Sequence, residues 1–121
     1  MSSDTAALVT RAVERFQEEV PALAELKLTF ALELKGRGDL QVFRVEVPGP
    51  KVSKEQPDDA RVSVTLDRSD FNDLAEKGTL ESYRRAWGKG EIKASGDPNI
   101  QKLIGQVVER QIERSRLKKS R

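Results

Sequence analysis

The chain has 121 residues, enough for one domain, and contains neither cysteine nor histidine. These absences exclude disulfides, thiolate or imidazole metal ligands, and catalysis by Ser–His or Cys–His pairs. Its 22 basic and 20 acidic side chains give a net charge of +2. This balance argues against a surface built as a whole for nucleic acid, and no nucleic-acid partner is expected.

The N-terminal residues do not resemble a targeting segment. Residues 1–5 include an acid and lead into no long apolar run, which is unlike a secretory signal peptide. Nowhere does the sequence approach the run of about 20 apolar residues that spans a bilayer. We therefore expect a cytoplasmic protein.

The first predicted element is a helix that begins at Ser3 or Asp4 and ends before Pro21. The residue before a proline disfavours the helical region, which sets the end at Glu19 or Val20. One face carries apolar residues at helical spacing: Val9, Val13, Phe16 and Val20. We interpret this element as a lid or packing helix.

A hairpin is predicted over residues 27–47. Four apolar residues alternate with other residues in the first strand: Leu28, Phe30, Leu32 and Leu34. Residues 36–39, Gly-Arg-Gly-Asp, are typical of a hairpin turn. The return strand places Phe43, Val45 and Val47 on one face. Leu40 and Val42 have the opposite parity, for which we expect a bulge near the turn.

The next segment predicts a short edge strand and a further core strand. Pro48-Gly49-Pro50 ends the hairpin, and the polar residues 51–59 indicate a short edge strand followed by a loop. Val62, Val64 and Leu66 then alternate with polar residues, as in a half-buried strand.

Two helices and a short strand are predicted between residues 67 and 96. Asp67 is placed to cap the first helix, and Gly78 is expected to end it with a positive φ. Thr79 is placed to cap the second helix, in which Tyr83 and Trp87 share one face. The alternating residues 91–95 then indicate a short strand.

The C-terminal segment predicts a long amphipathic helix that starts at Pro98. Its apolar residues recur at steps of three and four: Ile100, Leu103, Ile104, Val107, Val108 and Ile112. Residues 109–121 form a basic helical tail, with six basic and two acidic side chains and hence a net charge of +4. Such a tail favours transient contact with an anionic membrane surface through Arg110, Arg114, Lys118 and Lys119, or else is a solvated helix end.

Between residues 64 and 97, several short motifs follow one another in a characteristic order. They are Val64-Thr65-Leu66-Asp67, Phe71, Leu74, Gly78-Thr79-Leu80, Ala86 and Gly90-Glu91-Ile92-Lys93-Ala94-Ser95-Gly96-Asp97. This order resembles the sterol carrier protein 2 family, the nonspecific lipid-transfer domains. The pattern of elements predicts one α+β domain over residues 1–121, with a mostly antiparallel sheet of four or five strands and helices packed on one face. The family resemblance implies the same fold.

The resemblance also implies an apolar cavity between sheet and helices. The ligand would be a fatty acyl chain, acyl-CoA, phospholipid or sterol-like molecule, carried without catalysis, metal or cofactor. Projection from the apolar faces gives these expected lining residues: Phe30, Leu32, Phe43, Val64, Phe71, Leu74, Tyr83, Trp87, Leu103, Ile104 and Val107.

Other interpretations remain open from the residues themselves. The same apolar faces are compatible with a closed core. The amphipathic C-terminal helix suits a non-catalytic interaction module that forms a homodimer or docks a partner. The basic tail suits nucleic acid, in which case affinity would fall steeply with salt. The Gly88-Lys89-Gly90 turn lacks the signature of a phosphate loop, and Asp67 and Asp70 suit helix starts better than a metal site.

Overall fold

The strands predicted from alternation form one sheet in the computed structural model of the chain. The structure describes the backbone of residues 2–119, and their side chains apart from positions 2–4, 24, 77, 116, 118 and 119. In chain order the elements are α1 (Ser2–Glu19), α2 (Pro21–Ala24), β1 (Thr29–Lys35), β2 (Leu40–Glu46), β3 (Lys51–Ser53), β4 (Val62–Asp67), α3 (Arg68–Lys77), α4 (Leu80–Gly88), β5 (Lys93–Gly96) and α5 (Pro98–Lys119).

The strands lie in the order β3-β2-β1-β4-β5. Neighbouring strands are antiparallel except for β1 and β4, which are parallel. The α+β fold with a mostly antiparallel sheet is therefore confirmed. The number of strands is five within residues 2–119, and the long strand β1 lies at the centre.

The two faces of the sheet differ in polarity because side chains alternate along each strand. Leu32 lies opposite Phe43 on β2 and beside Val64 on β4, on the face that the helices cover. On the other face, the Thr65 hydroxyl donates to the Glu33 carboxylate at 2.9 Å. The helices consequently cover the apolar face and leave the polar face to solvent.

The outer polar face also carries an ion pair from β2 to the loop before β4. The Arg44 Nη2 atom lies 2.7 Å from the Asp59 carboxylate, and Arg44 also contacts Glu46 at 3.3 Å. Hydrogen bonding to Arg44 lowers the pKa of the Asp59 carboxyl below its ordinary value. This pair ties the long loop to the sheet at the end away from β5.

The expected bulge in the hairpin is wrong. The register runs without interruption from Thr29 opposite Glu46 to Lys35 opposite Leu40. Leu40 and Val42 simply face the outer side of the sheet, and Leu40 is 52% exposed. Ordinary alternation along β2 places both residues on the outer face. No bulge is needed, because single apolar residues are common on the solvent side of a sheet.

The helix boundaries are largely as predicted, but two details of capping differ. The Thr79 hydroxyl accepts a hydrogen bond from the Ser82 N–H at 3.2 Å, which confirms the predicted cap. Asp67 occupies the N-cap position of α3, yet its carboxylate accepts no hydrogen bond from the helix. Gly78 has φ −71°, so the expected positive φ is wrong. Glycine is required there because a Cβ would collide with the Leu74 carbonyl oxygen.

The apolar residues form two clusters. The main cluster lies between the sheet and helices α1 and α3 and includes Val9, Leu34, Phe43 and Phe71. The second cluster joins the residues around α2 to α4 and α5: Val20, Leu23, Leu80 and Ile112. Because Ile112 fixes the C-terminal half of α5 to this second cluster, the first half of α5 is left to cover β4 and β5.

Candidate functional site

A cavity of about 190 Å³ lies between the apolar face of the sheet and the helices. All of its lining side chains are apolar except the Tyr83 phenol. They come from the helical side (Ala12, Val13, Phe16, Leu23, Phe71, Tyr83 and Ile104) and from the sheet and its flanks (Leu28, Phe30, Leu32, Val47, Val62, Val64, Leu66 and Ile92). We call this space the inner cavity.

A second, larger space of about 650 Å³ lies between α5, α4 and the β4–β5 edge. Its floor is apolar, with Val62, Val64, Ile92 and Ala94. The α5 side is mostly polar and follows helical spacing: Gln101, Lys102, Ile104, Gly105, Gln106, Val108, Glu109, Arg110 and Glu113. Tyr83, Arg84 and Trp87 of α4 complete it. We call this space the outer groove.

The inner cavity and the outer groove share a wall. Five residues line both spaces: Val62, Val64, Tyr83, Ile92 and Ile104. Ligand pockets in proteins measure about 300–1,000 Å³, so the outer groove alone has that size whereas the inner cavity alone falls short of it. A ligand that used both spaces would meet a wholly apolar end and an end with polar side chains.

Tyr83 is held in the shared wall by two contacts. Its ring packs edge-on against Phe16, with ring centroids 5.4 Å apart. Its hydroxyl donates to the Leu74 carbonyl oxygen at 3.3 Å. Burial raises the pKa of the Tyr83 phenol above the ordinary value of 10.0, and Glu19 adds to the effect while Arg15 opposes it. The phenol is therefore neutral at physiological pH.

Three features of the outer groove fix its walls and keep it open. The ion pair between Arg84 and Glu109 joins α4 to α5. A Cβ placed at Gly105 would meet no atom within 4 Å, so the absence of a side chain there leaves the groove open. The Gln101 side-chain amide donates to the Gly96 carbonyl oxygen at 3.2 Å, which fixes the start of α5 to the end of β5.

Seven of the eleven residues projected from the sequence line one of these spaces. Those that line the inner cavity are Phe30, Leu32, Val64, Phe71, Tyr83 and Ile104. Trp87 lines the outer groove and is 49% exposed. Phe43 is 0% exposed inside the main cluster, and Leu74 packs against that cluster. Val107 packs against the second cluster, and Leu103 faces solvent at 43% exposure.

The residues that the projection missed fall into two groups. Val62 and Leu66 alternate with Val64 on one strand, so strand periodicity carried a usable signal for them. The polar residues on the groove side of α5 recur at steps of three and four, which is also a readable pattern. Val13 lies on the predicted apolar face of α1, but periodicity gives that face and not the gap beneath it, and Ala12 lies outside the predicted set.

The described residues contain neither a candidate metal site nor a candidate membrane-spanning helix. No group of three or more Asp and Glu side chains among them is arranged to hold a metal ion. None of the helices within residues 2–119 is long and apolar enough to cross a membrane.

Comparison with solved structures identifies the fold. No protein-family model matches the chain, and a search of curated proteins finds no match. The crystal structure of sterol carrier protein 2-like 2 from Aedes aegypti is 23% identical, covers 85% of this chain and 95% of its own, and has a TM-score of 0.58. The solution structure of the palmitated protein of that name from the same mosquito is 22% identical, with 83% and 93% covered and a TM-score of 0.58.

A third similar structure comes from a yeast. The apo form of sterol carrier protein 2 from Yarrowia lipolytica is 20% identical, covers 74% of this chain and 81% of its own, and has a TM-score of 0.52. Likeness at these identities concerns the fold, and all three structures agree on it. The chain has the fold of the sterol carrier protein 2-like domains.

Proposed function

We propose that this protein is a non-catalytic lipid carrier whose ligand occupies the inner cavity and the outer groove. The observation that carries the proposal is the composition of the inner cavity, where the Tyr83 hydroxyl is the single polar side-chain group among the lining residues. A water molecule finds few hydrogen-bond partners in such a space, whereas each methylene that moves from water into it contributes about 0.8 kcal/mol of binding free energy.

The ligand is an amphiphile in this proposal. Its apolar end lies in the inner cavity, and its polar end lies in the outer groove beside Gln106 and the other polar side chains of α5. Fatty acids, acyl-CoA, phospholipids and sterol-like molecules all have one apolar end and one polar end. Palmitate is the natural first probe, because the solution structure from Aedes aegypti is of a palmitated protein.

Carriage without catalysis is consistent with the residues present. The chain has no histidine and no cysteine, and the neutral Tyr83 is the titratable group in the shared wall. Selectivity among ligands is expected to be loose, since an apolar pocket distinguishes one methylene by only about 1–3 kcal/mol.

Adjacent residues of α5 provide a matched test. Ile104 lines both spaces, whereas its neighbour Leu103 lines neither and is 43% exposed. We expect Ile104→Arg to abolish palmitate binding, because a charge would have to enter an apolar cavity. Leu103→Arg should leave binding unchanged. Native mass spectrometry of each variant with palmitate, fatty acyl-CoA and phospholipid, together with solvent extraction of the protein as purified, measures this.

The outcomes separate the proposal from its main rival. A ligand mass that is present in the wild type and in Leu103→Arg but missing from a folded Ile104→Arg supports the carrier. A wild-type protein that stays bare with all three probes would contradict it. In that case an interaction module that acts through α5 becomes the better description, and a mass that depends on concentration would support it.

A further inference from the structure

The charge of the molecule is divided unevenly along the chain. Residues 84–121 carry eleven basic and four acidic side chains, a net charge of +7. Residues 1–83 carry eleven basic and sixteen acidic side chains, a net charge of −5. The described part of the basic segment comprises the end of α4, strand β5 and helix α5. The described side chains of this segment are seven basic and four acidic, so positive charge prevails beside the β5 edge and along α5.

Exposed apolar side chains are concentrated on the same elements. Among the described residues, the large apolar side chains with the greatest exposure are Leu40, Trp87, Leu103 and Leu117. Three of these four belong to α4 or α5, and Leu117 is 70% exposed. Burial of exposed leucines against an apolar medium is favourable, at about 1.5–3 kcal/mol for a fully buried side chain.

Helix geometry brings the apolar and basic side chains together. Leu103, Arg110, Arg114 and Leu117 are separated by seven, four and three residues, so they share one stripe of α5. All four side chains are exposed. We call these four residues the docking stripe. Arg110 also lines the outer groove, so the docking stripe borders the groove along α5. Glu113 lines the groove beside it and offsets part of the positive charge.

We propose that the docking stripe binds the surface of an anionic lipid bilayer, with the outer groove opening toward that surface. The basic side chains meet the lipid phosphates, and Leu103 and Leu117 enter the interfacial region. Each Lys or Arg near such a surface contributes about 1 kcal/mol, and the leucines add an apolar contribution that salt does not screen. The inference extends the carrier proposal by naming the surface with which lipid is exchanged.

The other occupants fit the stripe less well. A second copy of this chain in a symmetric dimer would place each stripe against its own copy, so that the arginines Arg110 and Arg114 of the two copies would face each other. A nucleic acid would match the arginines, but its phosphate backbone offers no apolar layer for the two leucines.

The hairpin provides a matched control for a vesicle-binding experiment. Leu40 and Arg37 are an exposed leucine and an exposed arginine at the β1–β2 turn, far from α5 in the sheet order. The variant Leu103→Ser/Arg114→Glu and the control Leu40→Ser/Arg37→Glu change the same residue types and the same net charge. Neither double variant alters a residue that lines the inner cavity or the outer groove.

The assay is sedimentation with vesicles of phosphatidylcholine and phosphatidylglycerol at a 7:3 ratio, at low and high salt. Trp87 is the single tryptophan of the chain, so quenching of its fluorescence by brominated lipid reports the approach of the groove alone. We expect Leu103→Ser/Arg114→Glu to weaken binding to vesicles about tenfold, and the hairpin control to change it less than about twofold.

Binding of palmitate in solution should stay unchanged in both double variants, which separates failure of this inference from failure of the carrier proposal. Equal losses in the two double variants would reduce the effect to net charge and overturn the docking stripe. No binding of the wild type to the anionic vesicles would also overturn it. So would tighter binding to a 20-nucleotide single-stranded RNA than to vesicles, which would assign the stripe to nucleic acid.

Discussion

Tyr83 shows how one side chain links the two spaces of the site. It is the single tyrosine of the chain, and it lies in the wall of both the inner cavity and the outer groove. Its ring is fixed by Phe16 and its hydroxyl by the Leu74 carbonyl oxygen. A phenol suits this position because it offers an apolar ring to the ligand while its hydroxyl remains hydrogen-bonded.

Tyr83 should make the stability of the protein depend on alkaline pH. Because burial raises the pKa of the phenol, the unfolded chain ionises first as the pH rises above about 10. The free energy of unfolding should therefore fall with rising pH in that range, and this stabilising contribution is fully present below it. Absorbance titration near 295 nm, which reports on this one tyrosine, should give a midpoint above 10 in the folded protein.

The variant Tyr83→Phe isolates the contribution of the phenol. At pH 8 it should cost about 1 kcal/mol through the lost hydrogen bond to Leu74. The difference between wild type and variant should shrink from pH 9 to pH 11, as measured by urea denaturation. All other ionisable groups are common to both proteins, so their contributions cancel in the difference. A difference that stays constant with pH would contradict the assigned cause of the pKa shift.

Individual residues also show what the sequence could predict about the site. Leu32 and Val64 were predictable because strand period fixes the face of a side chain. Phe43 shares that face, yet it is 0% exposed within the filled part of the core. Periodicity assigns a face but not the distance to the opposite layer, and so it cannot separate a cavity wall from a closed core.

Helix α5 combines three surfaces at the scale of an element. Ile104 and Ile112 pack inward, the polar residues from Gln101 to Glu113 face the outer groove, and the docking stripe faces solvent. Gly105 lies among the groove-facing residues and provides space rather than contact. The sequence predicted the first surface from hydrophobic spacing and pointed to the arginines of the third from the basic tail, but the polar residues that face the groove were not followed around the helix.

Filling the groove at Gly105 should block the ligand. In Gly105→Leu the new side chain would enter the outer groove, and we expect palmitate affinity to fall at least about tenfold. Leucine favours the helix by up to about 1 kcal/mol over glycine, so the variant should remain folded. The control is Gly88→Leu, since Gly88 ends α4, lines neither space and also has no neighbour within 4 Å of its Cβ position.

Calorimetric titration measures the palmitate affinity of each variant, and thermal unfolding measures its stability. Undiminished affinity in Gly105→Leu would show that the ligand does not use the outer groove. An equal loss in Gly88→Leu would indicate a general effect of the larger side chain rather than occlusion.

Elements that depend on long-range pairing were the hardest to predict. The parallel pairing of β1 with β4 joins residues 30–35 to residues 62–67, and local sequence carries no record of such a partner. The four-residue helix α2 has no counterpart among the predicted elements, since its Pro21 indicates a stop as readily as a start. Helices α1, α3, α4 and α5 were predictable because their caps and periodicity are local.

At the scale of the whole molecule, α5 is attached less firmly than the strands. It packs on β5, α2 and α4 at the periphery, whereas β1 is bonded on both edges within the sheet. We expect amide hydrogens of α5 to exchange through local opening, and those of β1 to exchange only through global unfolding. Bound palmitate should slow exchange in α5 more than in β1.

Hydrogen exchange followed by mass spectrometry, with and without palmitate, measures this difference. Exchange of α5 at the rate of β1 in the free protein would contradict the weaker attachment of α5.

The division of charge between the first 83 residues and the rest has a consequence for movement through solution. A molecule with a net charge of −5 in one part and +7 in the other has a permanent electric dipole moment. In the field of an anionic surface, such a molecule is turned while it is still diffusing, so that the side carrying helix α5 leads. At physiological ionic strength this torque acts only within about 8 Å. The molecule is therefore oriented just before contact, so that it meets the surface with the groove side first.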